Sequence, residues 1–212
     1  MSISPEDVKA VSNAQLQELG IVTNDELPTM DVIEELEPQT ARDVARRALV
    51  LIYVLGLGFG AKPLKLKKAL TDYSLWDYVT DAERALLNKK NLNEQDRINA
   101  QWLIEDVQAL AWCLGLVELK PFEHYDDDIA SQFPKLYTSP KEFILGATLR
   151  PYEEMYQQAD FHYRLHWVAQ NGVEESDDFH VSVSLIQERR RALEWVIGVD
   201  QDWDSVLVVD EE

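Results

Sequence analysis

The sequence predicts an all-α protein: a single-domain bundle of about seven or eight helices around a buried C-terminal helix pair. Three observations carry this. Apolar residues recur at three- and four-residue spacing from Val8 to Val196, the period of helices facing a core. Capping residues open several of these stretches and glycines close them. The one strand-like run, Val206-Leu207-Val208-Val209, has no evident pairing partner elsewhere.

Ser4-Pro5-Glu6-Asp7 reads as an N-cap, a proline in the first helical turn and acids at the positive helix end. Val8, Val11, Leu16 and Leu19 supply the apolar stripe, and Gly20 ends it. Thr23 to Pro38, with two prolines and many acids, reads as a connector with room for one helical turn. From Gln39 the pattern is strongly helical, with Val44, Ala48, Leu51 and Leu55 on one broad face and Arg42, Arg46 and Arg47 on the other side of its first half. Gly56, Gly58 and Gly60 close it; with no Gly-Lys-Ser/Thr ending and no preceding strand, they are helix terminators and not a phosphate loop. Lys62, Lys65, Lys67 and Lys68 alternate with Leu64, Leu66 and Leu70, which gives a short helix with a solvated basic face. Thr80-Asp81-Ala82-Glu83 is a capping box.

Asn93 is placed to cap a long helix over 94–114, closed by Gly115, with Ile98, Trp102, Ala109 and Cys113 along one face. Val117 to Tyr137 lacks periodicity and reads as an exposed acidic loop; its Asp126-Asp127-Asp128 lacks the alternating ligands, glycine and closing glutamate of a calcium loop. Ser139-Pro140-Lys141-Glu142 then offers a capping box for a short helix. Over 151–171, Tyr152, Tyr156, Ala159, Tyr163 and Trp167 fall on one side, and Phe161, Leu165 and Val168 on the opposite side. A helix apolar on both sides is covered on both. A polar turn over 171–178 leads to a last helix from about Phe179 to Ile197, with Val181, Leu185, Ala192, Leu193 and Val196 as its stripe and Gly198 as its end. The chain thus divides into an acidic N-terminal helix and connector (1–38), a core (39–198) and an acidic tail (199–212), all one domain.

Charge narrows the partners. Thirty-nine acidic against 20 basic side chains leave a formal charge of -19. That field repels nucleic acid and anionic lipid, whose binding depends on Lys and Arg meeting phosphates, and favours a basic protein or high solubility. The acid lies at the ends: residues 1–40 hold nine Asp or Glu and one Lys, and residues 200–212 hold six acids and no base. One cysteine, Cys113, excludes an intrachain disulfide and fits a reducing compartment. The N-terminal stretch lacks the basic start and apolar run of a signal peptide, and the longest apolar run, 48–57, is far below the ~20 residues of a membrane span. A cytoplasmic protein is expected.

No constellation in the chain demands a chemistry. His162 and His166 have the i,i+4 spacing of two metal-bound imidazoles, but no Glu follows the first, and His124 and His180 are the only other imidazoles. Hydrogen-bonded core histidines are expected, without metal or other cofactor. No serine stands in a nucleophile elbow, and Cys113 lies on an apolar stripe. What stands out is charge on apolar faces: Glu105 and Asp106, Asp160, Arg164 and His166, Glu188 and Arg189. Buried, these form structural ion pairs or floor a polar pocket. Arg189 is expected inside, bonded to Glu105 or Asp106, with Asp160 in reserve unless it pairs with Arg164 along its own helix; Arg190 and Glu194 are expected to face away.

Several blocks, Asp160-Phe161-x-Tyr163-Arg164-Leu165-His166-Trp167, Glu188-Arg189-x-x-Ala192-Leu193-x-Trp195 and Trp203-Asp204, resemble an uncharacterised, mainly bacterial family, the domain of unknown function DUF4272. Upstream the likeness takes in Leu19-Gly20-Ile21, Ala45-x-Arg47-Ala48-x-x-Leu51, and Glu105 with Ala109-Leu110-x-Trp112-x-Leu114-Gly115. The resemblance implies one cytoplasmic helical domain and no established activity. Where that family often has a Cys-Asp pair after Gly115, this chain has Asp126-Asp127 and no thiol.

Two functional expectations follow. The first is a non-enzymatic interaction protein whose acidic surface engages a basic protein partner. The second is an enzyme or small-ligand binder with a polar pocket between the two C-terminal helices, floored by Arg164, His166, Glu188 and Arg189.

Overall fold

Local capping sets where most helices start. In the computed structural model, which describes residues 4–125, 128–171 and 182–206, the Ser4 hydroxyl accepts the Asp7 amide and opens α1 (Pro5–Glu18). Thr40 does the same for α2 (Ala41–Leu55), and reciprocal capping boxes open α4 (Asp81–Asn88) from Thr80 and α5 (Glu94–Cys113) from Asn93. Each cap satisfies helix-end amides that would otherwise lack partners. Between α2 and α4 lies α3 (Pro63–Asp72); α6 (Lys141–Gly146), α7 (Tyr152–Asn171) and α8 (Val183–Ile197) complete the set. Short 3-10 turns lie at Ile33–Glu35, Trp76–Tyr78 and Ile129–Gln132, and no strand occurs among the described residues.

The helices pack as a succession of neighbours, α1 on α7, α7 on α8, α8 on α5 and α5 on α2, with α3 and α6 against α2. This explains the two-sided α7. Met155, Tyr156 and Ala159 enter the main core, while Phe161 and Leu165 meet Leu16 of α1 and Leu185 and Ile186 of α8 in a second cluster. It also explains α5, where every side chain from Glu105 to Cys113 is buried because α2 covers one flank and α8 another. Complete burial pushes the Cys113 thiol far above its ordinary range, which makes it inert. None of the helices among the described residues is long and apolar enough to cross a membrane.

Four local expectations need correction. The stripe of α5 does not run its whole length: Ile98 is 39 % exposed and Trp102 half-buried, because α8 reaches only the second half of that helix. The loop after α5 is not wholly exposed, since the turn Ile129–Gln132 drives Ile129 and Phe133 into the core, where Phe133 meets the Phe143 ring at 5.5 Å. Four-residue spacing within one 3-10 turn suffices to make that plug. Ser139 forms no capping box. Pro140 takes the N-cap position, so Glu142 is one residue too early to reach back. The last helix begins at Val183, where Ser182 accepts the Leu185 amide, not near Phe179. Asp126-Asp127, the polar turn beyond Asn171, Val181 and residues 207–209 lie outside the described residues.

Residues 199–206 turn back onto the core. Gly198 closes α8 in the left-handed region at φ 93°, and Trp203 and Val206 are buried in the main cluster. Trp203 packs edge-on against Trp195 at 5.3 Å. This return places Asp200 to Asp204 beside the starts of α2 and α4.

Candidate functional site

The charges on apolar faces resolve into separate pairs. Arg189, 1 % exposed, donates from Nε (3.0 Å) and Nη2 (2.8 Å) to Glu105 Oε2, and from its other hydrogens to the carbonyls of Lys120 and Glu123. Glu105 Oε1 meets His124 Nδ1 at 3.0 Å and accepts the Tyr125 amide. At the next residue of α5 the partner changes. Asp106 is held by Arg191 through Nε (3.1 Å) and Nη2 (2.6 Å), and Arg191 also bonds Glu188. Complete burial raises the Asp106 carboxyl well above the ordinary carboxylate range, with Arg191 pulling it back and Glu188 pushing it further. Asp160 and Arg164 pair bidentately within α7, at 2.8 and 2.9 Å, and Arg164 also reaches the Pro28 carbonyl. His166 accepts from Arg190 Nη1 at 3.0 Å.

Arg164, His166, Glu188 and Arg189 are thus divided among four sets of partners and do not converge. The expectation that Arg190 and Glu194 face away is wrong. Glu194 is only 4 % exposed, and Arg190 holds it at 2.6 Å while lying 4.7 Å above the Tyr163 ring. The α7–α8 seam is wide enough to bury both edges of the α8 stripe. His162, also buried, bonds the Gln158 carbonyl through Nδ1, and burial holds its pKa down to about 3.

Sequence reasoning missed a further network. Arg47 of α2, 4 % exposed, bonds Glu83 of α4 and the Tyr78 carbonyl, and its guanidinium lies 4.7 Å from the Trp203 ring. Arg191 approaches the same indole at 5.3 Å. Glu83 serves twice, since its second oxygen closes the capping box on Thr80. The helical pattern set Arg47 with Arg42 and Arg46 on the side away from Val44, Ala48 and Leu51, and the structure corrects this: Arg47 is buried because Glu83 of α4 and the Trp203 ring cover that side of α2.

This network floors a cleft of about 480 Å³ between the starts of α2 and α4 and the returning chain end. Its lining carries Asp43, Asp77, Asp81, Asp202 and Asp204 against two arginines, Arg47 and Arg84, with Tyr78, Trp195 and Trp203 between them. Asp204 caps α4 through the Ala82 amide, which ties the rim to the helix start. Two donors buried behind this lining, Arg47 Nε and Arg84 Nε, have no acceptor among the described residues. Residues 8–206, nearly the whole chain, match the family profile of a domain of unknown function, DUF4272. The chain belongs to the DUF4272 family. No curated protein and no solved structure matches it. In this DUF4272 chain the blocks that carried the resemblance supply the paired charges: Arg47, Glu105, Asp160 with Arg164, and Glu188 with Arg189. Trp203-Asp204 supplies the cleft's indole and one rim carboxylate.

Proposed function

We propose that this DUF4272 protein is a non-enzymatic binding module that takes a basic polypeptide segment into the cleft between α2, α4 and the returning chain end. The observation that carries the reading is the lining itself: five aspartates against two arginines, a local excess of three negative charges, around a hollow large enough for one or two side chains. Concave carboxylate rims over low-dielectric aromatic walls focus their field outward and raise the local concentration of cations. Tyr78 is 41 % exposed and offers an aromatic edge to a guanidinium or ammonium. The formal charge of -19 adds long-range attraction for the same partner.

A fluorescently labelled Lys/Arg-rich peptide tests this by anisotropy. Asp77→Lys with Asp202→Lys, both on the exposed rim, is expected to weaken binding at least tenfold. Glu18→Lys with Glu26→Lys makes the same change in net charge away from the cleft, and at physiological salt, with screening over ~8 Å, it is expected to weaken binding much less. Equal weakening by both pairs would reduce the effect to net charge and overturn the cleft, as would absence of binding at low salt.

A further inference from the structure

Beyond the far end of α2 from the acidic cleft lies a second hollow of about 430 Å³, whose walls are Phe59, Ile98, Trp102, Ile104 and Tyr125. Phe59 is 69 % and Ile98 39 % exposed, so the chain leaves two large apolar side chains facing water at one place. Its polar lining is Gln101, whose amide nitrogen donates to the Gly58 carbonyl at 3.0 Å, together with Glu105 and His124. His124 lines it with its side chain 62 % exposed, and Nδ1 of that ring is fixed at 3.0 Å from Glu105, whose own side chain is 1 % exposed. Glu105 is itself locked by two donors from Arg189 on its other oxygen and by the Tyr125 amide.

That arrangement decides the tautomer. A carboxylate held by a guanidinium can only accept, so the hydrogen of the neutral imidazole resides on Nδ1 and the lone pair is on Nε2. Among the described residues Nε2 has no hydrogen-bond partner. An apolar hollow with an imidazole acceptor fixed in orientation fits a flat apolar molecule that carries a donor. The Trp102 ring, 6.2 Å from the imidazole and tilted to it by 41°, gives such a molecule an aromatic wall. The volume falls in the lower part of the ~300–1,000 Å³ range of small-molecule sites.

We propose that this hollow is a binding site for a phenol-class aromatic, its rings against Phe59, Ile98 and Trp102 and its hydroxyl donating to His124 Nε2. The strongly negative chain favours the neutral phenol over an aromatic carboxylate of the same shape. The site is distinct from the acidic cleft and independent of its occupant.

Three probes of one shape test it by calorimetry: 2-naphthol, 2-methoxynaphthalene and 2-naphthoate. A net hydrogen bond contributes about 1 kcal/mol or slightly more, so the naphthol is expected to bind about tenfold tighter than its methyl ether. His124→Phe keeps a ring beside Trp102 and removes the acceptor; it should abolish that preference while the ether binds as before. Ile98→Glu should weaken both. Equal binding of naphthol and ether to the unaltered protein, tighter binding of the naphthoate, or no binding of any of the three would each overturn the assignment, and these comparisons need no variant.

Discussion

Replacing Arg189 by alanine removes the side chain that joins three segments of the fold. The guanidinium is 1 % exposed and contributes two donors to Glu105, one to the Lys120 carbonyl and one to the Glu123 carbonyl. After truncation Glu105 stays at 0 % exposure with only His124 Nδ1 and the Tyr125 amide, and two carbonyls lose donors. An ion left buried without its counter-charge costs ~3–5 kcal/mol, more than the pair itself contributes. At roughly 2–4 °C per kcal/mol for a protein of this size, the melting temperature should fall by roughly 6–20 °C. Urea unfolding of Arg189→Ala, Glu105→Leu and the double variant checks the mechanism. The double variant should lose at least ~1 kcal/mol less than the sum of the singles, because it leaves no orphaned charge. Arg42→Ala, on the exposed side of α2, is the control and should stay within ~0.5 kcal/mol. Arg189→Ala within that same margin, or strict additivity in the double, would refute the reasoning.

Other expectations follow from the same geometry. Arg190→Ala should cost about 2 kcal/mol, the scale of a hydrogen bond to a charged group, because it removes the guanidinium bonded to the buried Glu194 carboxylate; denaturant unfolding at the cost of a surface change would contradict this. His162 is buried neutral with its pKa held down to about 3, while the unfolded chain takes up the proton near 6.5. Its contribution is therefore present above pH 6.5 and lost as pH falls toward 3. Relative to His162→Gln, the unaltered protein should lose about 2 kcal/mol between roughly pH 7 and 5; parallel stability curves would contradict it. Gly198→Ala combines φ +93° with a Cβ 2.3 Å from the Glu37 carbonyl oxygen, whereas Gly20→Ala meets nothing within 4 Å. Thermal melts should show the first costing more than ~2 kcal/mol and the second about 1; the reverse order would be decisive against the packing described.

Most of the helical scheme was legible because it is written locally. Ser4, Thr80 and Asn93 each announce a helix start within four residues, and the opposed apolar faces of α7 state that it is covered twice. Charge on an apolar stripe was legible for the same reason, which is how Glu105 and Arg189 came into view. Their neighbours were not. Arg191 sits at the edge of its stripe, and Arg190 and Glu194 lie where a wheel cannot say how far α7 reaches around α8. The Arg47–Glu83 pair joins residues 36 apart, and only tertiary packing brings them together. The same holds for the cleft, whose walls come from the starts of α2 and α4 and from residues 195–204. An acidic chain end that looks like a solvated tail is drawn inward by Trp203 and Val206, two apolar residues too few to register as a pattern.

The central claim, that a basic segment enters the cleft, is tested most directly at the indoles. The chain has six tryptophans, and their side-chain N–H resonances can be followed separately in an isotope-labelled sample. Titration with an unlabelled Lys/Arg-rich peptide should move the Trp195 and Trp203 signals, which belong to the cleft lining, and leave Trp102 and Trp112 in place. Shifts confined to Trp102 or Trp112, or no shift at all at peptide concentrations that saturate the anisotropy signal, would contradict it.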